Sequence, residues 1–113
     1  MSGNPTETNP DLYKVVFEND RVRVLEYQDV PGDRTTPHGH PDSVMVTLSD
    51  FDRRLTIGDR VRDVSLRAGV AAWLPAQIHM GENVGLTPTH VMFVELKDPL
   101  PTEPTGGDAL GPQ

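Results

Sequence analysis

Cysteine is absent from this chain, which leaves it neither a disulfide framework nor a thiolate metal ligand. Aromatic residues are scarce, at 5%, and only 35% of residues are hydrophobic. So lean a chain fills a thin sandwich or barrel more readily than a thick layered fold. Positive charge is short as well: 10 Lys and Arg face 17 Asp and Glu, for a net charge of −7. With no basic stripe and no helix-turn-helix pattern, the balance argues against nucleic acid as the main partner. The excess of acid is read as solubility. No apolar run approaches a membrane span. The start, Met1-Ser-Gly-Asn-Pro5, lacks the charged and apolar regions of a signal peptide. A soluble, cytoplasmic protein without nucleic acid or membrane as partner is the expectation.

What is plentiful is turn chemistry. The 113 residues hold 11 Pro and 10 Gly, many of them between short apolar runs. Residues 1–11 are polar and read as a flexible N-terminal arm. Strands are expected at 13–17, 22–30, around His38, and at 44–48, 54–57, 61–66, 70–74, 78–84 and 90–96. Gly58-Asp59 between two of these is a hairpin signal. From 99 to 113 the chain is Pro- and Gly-rich, without apolar periodicity, and reads as a tail. One domain over 12–98, all-β and without a convincing helix, is the expected organisation.

The chemistry gathers on histidine. His38 and His40 stand two apart, so on an extended strand both imidazoles point to one face. That spacing suits a grip on one metal ion. His79, in Trp73-Leu-Pro75-Ala-Gln-Ile-His79, is the third candidate ligand. Neutral imidazole binds zinc, copper, iron and nickel. Three ligands leave positions open for water or substrate, the mark of a catalytic site. His90 shares parity with Met92, Val94 and Leu96 and reads as an exposed edge histidine.

Carboxylates near the histidines are read as structural. Asp42 is a turn cap with Ser43, and Glu82 alternates away from His79. Glu95 is weighed between orienting a histidine N–H and pairing with an arginine on a solvated face; the latter is the expectation. By alternation, Val44 and Val46 line a pocket with Gly81 and Asn83, and Gly81 leaves space beside the ion. Trp73 lines the cavity wall. Arg23, Arg34, Arg54 and Lys97 read as surface charges. A small, largely uncharged organic molecule is the expected occupant.

These residues carry a resemblance. Gly32, five residues, then His38 and His40 match the first motif of the cupin superfamily. Gly69, five residues, Pro75, then His79, three residues, Asn83 match the second. The likeness spans about residues 15–97. Two departures stand out: the first motif's glutamate falls at Val44 or Met45, and Gln77 replaces a glycine, with one residue fewer before His79. The resemblance implies a cupin-type conical β-barrel of two packed antiparallel sheets, and a homodimer. It also implies a three-histidine site for one divalent metal per chain: iron first, with nickel, zinc, manganese or copper as alternatives. The implied activity is that of a small-molecule enzyme. It is dioxygenase-like at iron, or an isomerase, cyclase or lyase at another metal. A cupin lacking the glutamate that binds or senses without catalysis is the other reading.

Overall fold

Alternation with a period of two builds the inner faces of this protein strand by strand. The computed structural model describes residues 4–97. The tail expected over 99–113 and the first three residues of the arm lie outside them. One helical turn, α1 (Pro5–Thr8), precedes nine strands. These are β1 (Tyr13–Glu18), β2 (Val22–Asp29), β3 (His38–His40), β4 (Ser43–Thr47), β5 (Phe51–Ile57), β6 (Arg60–Leu66), β7 (Ala71–Leu74), β8 (Gln77–Asn83) and β9 (Thr89–Leu96). They form two antiparallel sheets, one in the order β1-β2-β9-β4-β7 and the other in the order β3-β8-β5-β6. The all-β, two-sheet architecture expected from the sequence is the one observed.

The inner face is easiest to follow on β2 and β9, which pair over their full lengths. Leu25, Tyr27 and Asp29 are buried on one, and Thr89, Val91, Phe93 and Glu95 on the other. The apolar core gathers Tyr13, Leu25, Tyr27, Phe51, Val91 and Phe93, with Met45, Leu66 and Leu74 packed on it. Two of the inward positions, Asp29 and Glu95, are acidic. A buried carboxylate is tolerated only with donors around it, and both have them, as described below.

Local chemistry sets the turns. Gly58-Asp59 joins β5 and β6 as a two-residue hairpin, with Gly58 at φ 61. Positive φ at the first central residue is the type II′ requirement, and glycine meets it without a Cβ clash. β5 starts at Phe51, ahead of the strand expected at 54–57. Phe51 and Arg53 point inward and pair with Leu66 and Val64 of β6, so the strand extends to bury them.

Part of the stretch read as an arm carries structure of its own. Residues 4–11 are seated on the sheets, and α1 is a helix that composition hid. Asn4 caps it, accepting from Thr6 N at 3.0 Å, and Pro5 occupies the first turn, where its missing N–H is no loss. Buried Asn9 then accepts from Thr36 N at 3.0 Å, tying the arm to the segment that enters β3. The seating runs through amide hydrogen bonds instead of an apolar stripe, so polarity disguised it.

Candidate metal centre

The sheet β3-β8-β5-β6 brings the three histidines together. β3 and β8 pair in a register that sets His38 opposite His79 and His40 opposite Gln77. Alternation on β3 carries His40 to the same face as His38. The three rings stand 4.8 to 5.0 Å apart, centroid to centroid. One nitrogen from each lies within 4.8 Å of the others, and all three residues are buried.

Each ring is held by its Nδ1. His38 Nδ1 lies 2.7 Å from the carbonyl of Thr36, which only accepts, so this nitrogen carries the proton. His40 Nδ1 donates to Glu95 Oε2 at 3.0 Å. His79 Nδ1 lies 2.7 Å from Gln77 Oε1. The amide of Gln77 is oriented by its own Nε2, which donates to the carbonyl of Pro75 at 3.0 Å. All three imidazoles therefore share one tautomer, with a bare Nε2. His38 Nε2 accepts from the hydroxyl of Tyr13 at 3.2 Å. His40 Nε2 is fully buried and has no partner. An orphaned buried acceptor costs about 1–3 kcal/mol, and an ion among the three Nε2 atoms would relieve it. The donor set thus fits a divalent metal that accepts imidazole.

Electrostatics keeps the rings ready. Burial pushes the His38 imidazole down to about 4, opposed by its hydrogen bond to Thr36 and aided by the charges of His40 and Arg53. Burial, then His40, His38 and Arg53, push His79 down to about 3. Both are neutral well below pH 6, the form that ligates.

Glu95 does two jobs at once. It is 2% exposed, and beyond His40 it accepts from Arg23 Nε at 2.9 Å and Nη2 at 2.7 Å. The arginine pairing was expected, but on a solvated face; parity with Val91 and Phe93 puts it inside instead. Gln77 is the other orienting group, standing where the family motif has glycine. Asp42 braces the neighbouring loop, accepting from Ala76 N at 2.8 Å. His90 stands apart from the cluster, half-buried, against Glu26 at 2.6 Å.

A cavity of ≈ 340 Å³ opens between the sheets, with His38 and His79 in its wall. Gly81 also lines it, and Trp73, 56% exposed, borders it. Val44 and Val46 do not: on β4 the inward positions are Ser43, Met45 and Thr47, so the expected parity is off by one. Of the two places where the motif's glutamate was sought, Val44 points away from the cavity and Met45 into it. The fourth-ligand position is therefore apolar. Asn83 is buried but serves the fold. Its Nδ2 donates to Asp29 Oδ1 and to the carbonyl of Thr87, both at 2.9 Å.

Gly81 leaves room for Arg53, not for an ion: a Cβ there would stand 2.5 Å from Arg53 Nη2. Arg53, 8% exposed, was not singled out in the sequence, although parity with Phe51 and Leu55 points it inward. Its Nη1 donates to Asp29 Oδ2 at 2.5 Å and to Thr89 Oγ1 at 3.2 Å. Asp29 also accepts from the Tyr27 hydroxyl and from Thr89 N. Burial alone would raise the Asp29 carboxyl. Hydrogen bonds from Tyr27 and Asn83 and the charge of Arg53 outweigh it and hold the group below the usual carboxylate range.

Among known structures, a cupin domain from Bordetella pertussis Tohama I superposes with a TM-score of 0.72 at 27% identity, over 77% of this chain and 93% of that one. A protein with a double-stranded β-helix domain from Klebsiella pneumoniae gives 0.61 at 25% identity, over 75% and 70%. The polyketide cyclase RemF from Streptomyces resistomycificus gives 0.59 at 19%, over 74% and 63%, a likeness of fold. No protein-family model matches the chain, and no curated protein matches it. Among the described residues, no helix is long and apolar enough to cross a membrane.

Proposed function

This chain is a small cupin-superfamily domain, and we propose that it is a metal-dependent enzyme acting on a small organic molecule. His38, His40 and His79 hold one divalent ion through their Nε2 atoms. The observation that carries the reading is the common tautomer: three Nδ1 atoms are engaged outward and the buried Nε2 of His40 is left unpartnered. When bound, the ion supplies Lewis-acid polarisation and, if it is iron, redox chemistry with dioxygen. Iron and a dioxygenase-type reaction suit an all-histidine site best. An isomerase, cyclase or lyase reaction goes with nickel, zinc, manganese or copper.

The protein's own residues do the rest. The cavity opens between the two sheets, and its wall of Phe51, Leu55, Val64 and Leu66 packs an apolar body. The Tyr13 hydroxyl, beside His38 and raised far above its usual range by burial, stays protonated and donates hydrogen bonds at the site. By the resemblance to cupins the working unit is a homodimer.

Metal content of tag-free protein, wild type and His79→Ala, tests the reading. About one ion per chain, lost in the variant, is the expected result. The element then selects the assay: oxygen consumption for iron, non-oxidative turnover otherwise. Failure of both proteins to bind iron, nickel or zinc overturns it and leaves a non-catalytic small-ligand module.

A further inference from the structure

The cavity wall includes a buried charged group, Arg53, that the metal reading does not use. Arg53 lies on β5 between the inward residues Phe51 and Leu55, and its guanidinium rests over the α-carbon of Gly81. Gly81 is two residues beyond His79 on β8 and on the same face, so the arginine is the histidines' neighbour.

Arg53 is also a fixed group. Nη1 is held by Asp29 and Thr89, and Cζ lies over the Tyr27 ring, 5.0 Å from its centroid. A guanidinium has five N–H donors in a rigid fork. Nη2 has no acceptor among the described residues, yet the residue is more than nine-tenths buried and lines the cavity. A donor open to a cavity and left free on its wall is a binding group waiting for an oxygen.

The charge balance says which oxygen. Glu95 is matched by Arg23 and Asp29 by Arg53. The three imidazoles add no negative charge, and Met45 stands where a ligand carboxylate would. An ion in this centre would keep its full 2+ charge in a desolvated site, which favours an anionic guest.

We propose that Arg53 anchors a carboxylate, and that the substrate class of this site is a small monocarboxylic acid with an apolar body. The acid group takes the free edge of the guanidinium beside Gly81. The body lies along Leu55, Val64 and Leu66, and the adjoining carbon faces the histidines. This builds on the metal-centre reading for where the chemistry occurs, but not for where the acid binds. Arg62 also lines the cavity, at the exposed mouth, and is the competing cation.

Metal-free protein separates the two readings, because there only side chains can select the acid. Benzoate and benzamide are titrated in the presence of chelator and followed by fluorescence of Trp73, the chain's lone tryptophan, which borders the cavity. Benzoate is expected to bind about fivefold or more tighter than benzamide, the margin of a charge-assisted over a neutral hydrogen bond. Arg53→Gln removes that margin and Arg62→Gln leaves it. Gly81→Ala, which drives a methyl into Nη2, reduces it without altering any charge. Equal binding of acid and amide by the wild type overturns the proposal, even if no Arg53 variant folds. So does a margin that survives Arg53→Gln, or one lost in Arg62→Gln. A preference that appears only after metal is added, and persists in Arg53→Gln, places the acid on the ion instead and also overturns it. Absence of metal binding, with the benzoate margin intact, would overturn the metal reading alone.

Discussion

Glu95→Gln is the substitution that tests how the histidines are held. The change preserves volume, so it opens no cavity, but it replaces two acceptor oxygens by one oxygen and one NH₂. Arg23 offers only donors, and it approaches Oε1 at 2.7 and 2.9 Å. The remaining oxygen stays with Arg23, and the NH₂ turns toward His40. His40 Nδ1 must then accept, so its proton moves to Nε2, the buried atom that faces the other two rings. A protonated Nε2 has no lone pair for a metal. Loss of a ligand's orienting carboxylate costs roughly 10–100-fold in metal affinity, or about 1.4–2.7 kcal/mol. Stability falls separately, by about 1.5–3 kcal/mol for the lost charge-assisted bonds. Competition against a chromophoric chelator measures the first, and urea unfolding the second. Arg23→Gln is the control: it breaks the other half of the pair, lowers stability, and leaves the His40 tautomer and the metal affinity alone. A folded Glu95→Gln protein that binds zinc or nickel as tightly as wild type would refute the tautomer argument.

Asp29→Ala strands the Arg53 guanidinium without its main acceptor, and breaking such a buried pair costs about 3–5 kcal/mol. A urea midpoint within error of wild type would show the pair to be dispensable. Folding also holds His38 and His79 below their usual value, with His38 at about 4 and His79 at about 3. The unfolded chain therefore binds more protons. The stability this represents is complete above about pH 6.5 and is lost as pH falls toward 4 and then 3, with a slope of about 2.7 kcal/mol per pH unit for two protons. Stability measured from pH 7 to 4.5 should show it, and His79→Phe should roughly halve the slope; an unchanged slope in that variant would count against the assignment. Metal at a hundredfold excess over its dissociation constant should stabilise the wild type by about 2.7 kcal/mol and His79→Ala not at all. Equal thermal shifts in the two proteins would mean that binding occurs elsewhere.

Much of this architecture is legible before any coordinates. Strand positions follow from short β-branched runs cut by Pro and Gly, and Gly58-Asp59 marks its own hairpin. The convergence of His38, His40 and His79 follows from one spacing of two and a second motif. What misled is parity and context. On β4, counting from Val44 puts the valines inside, while the chain leaves Pro41-Asp42 with Ser43 inward. Periodicity is strict within a strand but says nothing of its phase, and a slip of one reverses every side chain. Glu95 was set on the wrong face, and Arg53 passed over, for another reason. Charge in a strand is ordinarily solvated, and its burial depends on a partner from a distant strand: Arg23 on β2 for the one, Asp29 on β2 for the other. Such pairings are tertiary facts that local sequence does not encode. The seating of α1 belongs with them, since Asn9 finds its partner at Thr36 only once β3 is in place.

The loss of the family's glutamate is balanced within this chain in a particular way. A carboxylate ligand both holds an ion and offsets its charge. Here the two tasks are separated. Holding passes to outward clamps on each ring: a backbone carbonyl at His38, an amide at His79 and a carboxylate at His40. Those clamps fix three Nε2 atoms on one spot without placing an anion there. Offsetting the charge passes to no residue, because Met45 fills the vacated position and Glu95 is matched by Arg23. On the reading proposed above, an ion held this way would stay electrophilic and would draw its anion from outside. Arg53, with one donor edge spent on Asp29 and another facing the cavity, stands where that anion would enter.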